Sequence, residues 1–133
     1  AEGKDVFPRL AGEVRGVLAY DNRVRNHGMV LAYEQRGRDD LPTCLVFGES
    51  FAPILVNFLK ESFGRVTFVH TSMLVGDLIE RLHPDVVLSV PTERFLISVP
   101  DDAEALERLA ETASAKGGEL PWPTSADPNT MLA

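Results

Sequence analysis

One short stretch of this sequence has residue types and spacing suited to nucleophilic chemistry: Phe47-Gly48-Glu49-Ser50-Phe51-Ala52. A serine hydroxyl becomes a useful nucleophile when a nearby base takes its proton. Fixed N–H donors must then receive the negative oxygen of the tetrahedral intermediate. The residues before Ser50, Thr43 to Phe47, form an apolar run bounded by Pro42 and Gly48, the pattern of a strand buried on both faces. After it the pattern changes to helical period, so Ser50 stands where a strand passes into a helix. The first amides of a helix have no intrahelical partner and point outward. Gly48 lets the backbone turn, and the amides of Ser50 or Phe51 are candidate oxyanion donors. The same position also suits a plain helix N-cap, since serine is among the favoured caps and Pro53 fits a first helical turn.

A base for Ser50 is harder to find. His70 is expected at the carboxyl end of the second core strand, where its ring could approach Ser50 if the strands are neighbours. A strand-end histidine without that role is the competing account. His83, beside Pro84, is expected at the opposite end of its strand, and His27 lies in a turn that the sequence does not place. Glu93 and Arg94 follow the third core strand, on the same edge as Ser50. Arg94 suits a carboxylate on an acidic sugar or an ion pair with Glu49. Asp77 and Asp85 read as surface or turn residues. Cys44 sits inside an apolar run and reads as a buried, inert thiol. The three histidines and one cysteine show no metal-ligand spacing.

The elements that must position these residues are clearest between 43 and 99. Thr43 to Phe47 is a strand. Phe51 to Phe63 carries apolar residues at 51, 54, 55, 58, 59 and 63, one face of a helix that Gly64 ends. Arg65 to His70 is a second strand, and Leu74 to Leu82 a helix closed by His83-Pro84. Asp85 to Val90 is a third strand, and Phe95 to Val99 suits a fourth. Asp101 and Glu104 resemble a capping box for a last helix, with Leu106, Leu109, Ala110 and Ala113 on one face and Gly117-Gly118 at its end. Upstream, Val6 to Leu18 has loosely helical spacing, and Met29 to Tyr33 reads as a short strand after the turn Asn26-His27-Gly28. Strand–helix alternation predicts parallel pairing with helices on both faces, hence a three-layer α/β/α sandwich with a mainly parallel sheet, SGNH- or flavodoxin-like. A single domain is expected over 1–118, with an irregular tail over 119–133 tacked down by Leu120 and Trp122.

Composition narrows the function. The chain has 133 residues, with 44% hydrophobic and 25% charged residues and a net charge of −7. Its arginines are scattered apart from Arg23, Arg25, Arg36 and Arg38, which read as solvated surface, so no nucleic-acid partner is expected. No run approaches the roughly 18 apolar residues of a membrane span. There is no glycine-rich phosphate loop, no aspartate at the strand-end position that a phospho-accepting receiver needs, and no expected cofactor.

Phe47-Gly48-Glu49-Ser50-Phe51 resembles the Gly-Asp-Ser nucleophile block of SGNH hydrolases. His83-Pro84-Asp85-Val86-Val87-Leu88, followed by Glu93-Arg94-Phe95-Leu96, resembles the Pro-Asp-Val-Val and Glu-Arg-x-Leu blocks of the SGNH-like, alginate O-acetyltransferase type of protein. The resemblance covers about residues 26–100. It implies that Ser50 attacks an acetyl donor and passes the acetyl group to a polysaccharide hydroxyl, at an extracytoplasmic place of action. Two departures stand out. Glu49 replaces the usual aspartate, and no Asp-x-His, nor the Asp-x-x-His of ordinary SGNH esterases, occurs in the chain. The chain is then expected to be either the carboxyl-terminal half of a longer acyltransferase or esterase, or a degenerate domain that keeps the fold without the catalysis. The alternative is a non-catalytic α/β binding or interaction domain.

Overall fold

The computed structural model describes residues 14–91 and 104–123. Its elements run β1 (Val17–Asp21), β2 (Val30–Glu34), β3 (Thr43–Gly48), α1 (Ala52–Leu59), β4 (Arg65–His70), α2 (Gly76–Leu82), β5 (Val86–Val90) and α3 (Ala105–Ala115). The five strands form one sheet in the order β1-β2-β4-β3-β5. Strand β3 pairs in parallel with both β4 and β5, as the alternating pattern predicts. The other two pairings, β1 with β2 and β2 with β4, are antiparallel. The sheet is therefore mixed rather than mainly parallel. For β1 and β2 the reason is loop length: residues 22–29 are too few to carry a parallel crossover, so the chain doubles back. Val17 and Leu18, expected in a loose helix, belong to β1. That strand is largely exposed, so burial imposes little alternation on it.

Successive residues of β3 point to opposite faces, and each face has its own core. Cys44 and Val46, with Val66 and Phe68 of β4, pack against Ala52 and Val56 of α1. Leu45 and Phe47, with Val30 and Val69, pack with Leu78 of α2 and with Leu106 and Leu109 of α3. Tyr20, Leu120 and Trp122 close the second cluster at its margin. Phe47 and Phe68 are almost wholly buried, and truncation of such a ring typically costs about 3–5 kcal/mol.

The inward face of α1 differs from the expected one. Ala52 and Val56 are buried, with Leu59 and Phe63 packed beside them. By contrast Phe51 is 69% exposed, and Ile54 and Leu55 are also exposed. A Cβ on Gly48 would come within 2.6 Å of the Ala52 Cβ. Such close contact between helix and strand admits only small side chains, so the Ala52 stripe faces the sheet and the bulkier stripe faces out.

The connections explain where a ligand site can form. From β3 the chain crosses through α1 to β4 on one side, and from β4 through α2 to β5 on the other. The carboxyl end of β3 is thus a topological switch point, where adjacent connections diverge and leave a crevice. At the opposite end, the Thr43 amide donates to the Asp85 carboxylate at 2.8 Å, and the Asp85 amide donates to the Thr43 carbonyl at 3.1 Å. The expected strand over 95–99 and the residue Asp101 lie outside the described residues. Helix α3 begins after Glu104, which adopts a left-handed conformation and makes no side-chain cap.

Candidate functional site

Ser50 lies at the switch point. Gly48 is the last residue of β3 and still pairs with His70 and Val90. Its glycine is required by proximity rather than by a sharp bend, since an added Cβ would meet Ala52 on one side and the Val90 carbonyl at 3.1 Å on the other. The turn comes next: the Ala52 amide donates to the Glu49 carbonyl at 3.0 Å. The N-cap of α1 is Phe51, without any side-chain cap bond. Ser50 therefore does not cap the helix. It is exposed, and among the described residues neither its hydroxyl nor the amides of Ser50 and Phe51 make any of the hydrogen bonds.

Beside it lies a polar cluster that the sequence only half revealed. His70 ends β4 next to Gly48 and is 3% exposed. Its amide donates to the Met29 carbonyl at 2.9 Å, and its carbonyl accepts from Gly28 at 3.0 Å. Both ring nitrogens are buried and have no hydrogen-bond partner among the described residues. Burial lowers the pKa of His70, and the nearby His27 lowers it further, against a smaller opposing pull from Glu49. The ring of His27 meets that of His70 edge-on, with centroids 4.8 Å apart and planes at 60°. The His27 Nε2 is 3.9 Å from the Glu49 carboxylate, which is itself buried. Glu49 immediately precedes Ser50, so the carboxylate, the two imidazoles and the serine share one edge of the sheet.

The loop carrying His27 is held firmly. The Asn22 side-chain amide donates to the carbonyls of Gly28 and Glu119, at 2.9 and 3.2 Å. Its oxygen accepts from the amides of Val24 and Val30, at 3.3 and 2.9 Å. The Lys116 ammonium, at the end of α3, donates to the carbonyls of Arg25 and His27, each at 2.8 Å. One sequence signal could have placed His27. It precedes a strand by a single turn, and a strand pairing with β4 brings that turn to His70.

The remaining candidates are not gathered at this edge. Glu93 and Arg94 lie outside the described residues. His83 is exposed in a left-handed conformation at the end of α2, before β5. Asp85 clips β5 to β3 at the far end from Ser50. Cys44 is buried, and burial pushes its thiol up to about 11, so it is a weak nucleophile near neutral pH. Arg23 and Arg25 precede β2 while Arg36 and Arg38 follow it, so they form no single basic face. Arg38 pairs with Asp40 at 3.0 Å. Among the described residues no group of three acidic, histidine or cysteine side chains is placed to hold a metal ion. Among the same residues, no helix is long and apolar enough to cross a membrane.

No protein-family model matches the chain, and no curated protein matches it. Among solved structures it is similar to Bacillus cereus PatB1, at 23% identity and a TM-score of 0.44, over 55% of this chain and 25% of that one. The same protein with a sulfonyl adduct gives 22% identity and a TM-score of 0.42, over 50% of this chain and 24% of that one. A DHHW family protein from Eubacterium siraeum DSM 15702 gives 18% identity and a TM-score of 0.43, over 60% and 26% of the two chains. The chain thus spans about a quarter of the length of each of these structures.

Proposed function

We propose that this chain carries the nucleophile-bearing part of an SGNH-like serine acyltransferase or esterase, related to polysaccharide O-acetylation. The observation that carries this reading is the exposed Ser50, unused as a helix cap, at the switch point of the sheet beside a strand that ends in a histidine whose ring nitrogens have no hydrogen-bond partner among the described residues. Packing of α1 on one core cluster and of α2 and α3 on the other supports a three-layer arrangement, with residues 1–118 as one domain.

In the proposed reaction the Ser50 oxygen bonds to the acyl carbonyl carbon of the donor while a base takes the hydroxyl proton. The carbonyl oxygen becomes negative and is received by the amides of Ser50 and Phe51. Collapse of the intermediate breaks the bond to the leaving group, which departs with the proton. A sugar hydroxyl, or water in an esterase, then takes the acyl group from Ser50 by the reverse sequence. His70 is the base this reading assigns, and burial lowers its pKa, which favours the neutral form a base requires. Arg94, with Glu93 beside it, is assigned to binding an acidic sugar. The resemblance of the two sequence blocks also supports an extracytoplasmic place of action.

A fluorophosphonate probe tests the assignment directly. The Ser50 oxygen displaces fluoride from phosphorus and leaves a stable phosphonyl ester. Labelling is expected in the wild-type chain and lost in Ser50→Ala. Equal labelling of the two would overturn the nucleophile. A wild-type chain that stays unlabelled would favour the second reading, a non-catalytic binding domain.

A further inference from the structure

Helix α1 is apolar on two faces, and the described residues cover only one of them. From Phe51 to Leu59 the sole polar residue is Asn57. Ala52, Val56 and Leu59 pack toward the sheet. Phe51, Ile54 and Leu55 stand three and four residues apart, so they share another face. They are 69%, 52% and 39% exposed. A helix that is apolar all round is ordinarily buried, so this face calls for an occupant. Taking about 200 Å² for a whole side chain of this size, the three residues present roughly 300 Å². A stable interface between proteins buries about 800 Å² on each partner, more than twice this patch. A net charge of −7 on each copy further opposes self-association. None of the three side chains can hydrogen-bond, so a sugar hydroxyl or a peptide group would leave water there without compensation. An aliphatic chain loses nothing by the exchange.

We propose that this face of α1 holds the aliphatic chain of an acyl group longer than acetyl, delivered to Ser50. The proposal rests on the reading of Ser50 as the nucleophile and narrows the choice of donor. Contiguity is the reason. In the acyl-enzyme the carbonyl carbon is bonded to the Ser50 oxygen, so the chain leaves from that point. Phe51 is the next residue along and the most exposed of the three. A helix rises 1.5 Å per residue, which sets Leu55 about 6 Å along the axis from Phe51. A chain lying on α1 therefore passes Phe51 first and then Ile54 and Leu55, whereas an acetyl group ends short of them. Each methylene taken out of water there is worth about fourfold in affinity. Phe51, Ile54 and Leu55 thus select the acyl group by its length.

Two fluorophosphonates that differ only in their alkyl chain, ethyl and dodecyl, test this on the whole chain. In the wild type, at equal concentrations below saturation, the dodecyl probe is expected to label at least about tenfold faster. In Ile54→Asn and Leu55→Asn that ratio is expected to fall by about tenfold, the worth of roughly two methylenes returned to water. Leu55→Met stays apolar and should keep the ratio. Both positions are exposed, so these substitutions should leave the urea midpoint close to that of the wild type. A ratio that the asparagine variants leave unchanged would overturn the proposal. So would a dimer in sedimentation that Leu55→Asn dissolves. Sodium decanoate supplies a readout that needs no nucleophile. It should shift the amide NMR signals of residues 51–58 in the wild type and not in Leu55→Asn. Decanoate shifts without labelling by either probe would keep the chain-binding face and remove the nucleophile. Labelling by both probes at one rate, without decanoate shifts, would do the reverse.

Discussion

Substituting Gly48 by alanine tests whether the seat of Ser50 is set by contact rather than by backbone freedom. The added methyl would stand 2.6 Å from the Ala52 Cβ, 3.1 Å from the Val90 carbonyl oxygen and 3.3 Å from the Val90 Cβ. Carbon atoms in contact settle at about 3.5–4.0 Å, so α1 must move off β3 by roughly 1 Å. Neither neighbour can swing away, since one is a Cβ fixed to its backbone and the other a backbone carbonyl. Overpacking of this kind costs about 1–3 kcal/mol. Alanine also narrows the unfolded ensemble, which returns about 0.4–1 kcal/mol. The net expectation is a loss of about 1–2 kcal/mol. In urea the midpoint falls while the slope stays the same, because the surface exposed on unfolding hardly changes. The displaced turn over 49–52 should also slow probe labelling of Ser50. The double variant with Ala52→Gly removes the shortest contact, so the two substitutions should couple by at least about 0.5 kcal/mol. A Gly48→Ala chain as stable as the wild type, or effects that simply add, would refute the reasoning.

Two further outcomes follow from the amino end of β3. Asp85→Ala should destabilise the chain by about 0.5–1.5 kcal/mol in urea unfolding, because the Thr43 amide loses its 2.8 Å acceptor, whereas Asp85→Asn keeps an acceptor and should retain most of that stability. Cys44 should resist iodoacetamide in the folded chain and react on unfolding. Its thiol is pushed up to about 11 when folded, so above the ordinary thiol range the unfolded state holds fewer protons. Stability should then fall as pH rises, by at most about 1.4 kcal/mol per pH unit from this group, and Cys44→Ala should remove that component.

How much of this was legible in the sequence depended on how far burial constrained each segment. Strands β3, β4 and β5 are buried or half-buried and carry apolar runs that only a covered sheet explains, so their parallel order could be read. Strand β1 faces solvent along most of its length, so its residues carry no alternation to detect. Apolar period does not identify the buried face of α1, because it ranks bulk as interior. The deciding fact is the contact between Gly48 and Ala52, and a pair of small residues gives little hydropathy signal. Ser50 was legible as a strand-to-helix serine. Its release from the cap role was not, since that depends on which residue begins the helix. His27 was hidden for a topological reason: its neighbours Glu49 and His70 are distant in sequence and meet it only because β2 pairs with β4.

The clamp on the loop around His27 has a consequence for how the chain matures. Asn22 and Lys116 tie that loop to partners 89 to 97 residues away along the chain. During synthesis the loop emerges long before Lys116 and Glu119 exist to fasten it. The parallel strands can pair earlier, leaving the histidine edge to be locked last. A nascent or truncated chain that stops short of Lys116 would hold Ser50 on its strand yet lack these fastenings of the His27 loop. The His27 loop would therefore be fastened only once translation had passed α3.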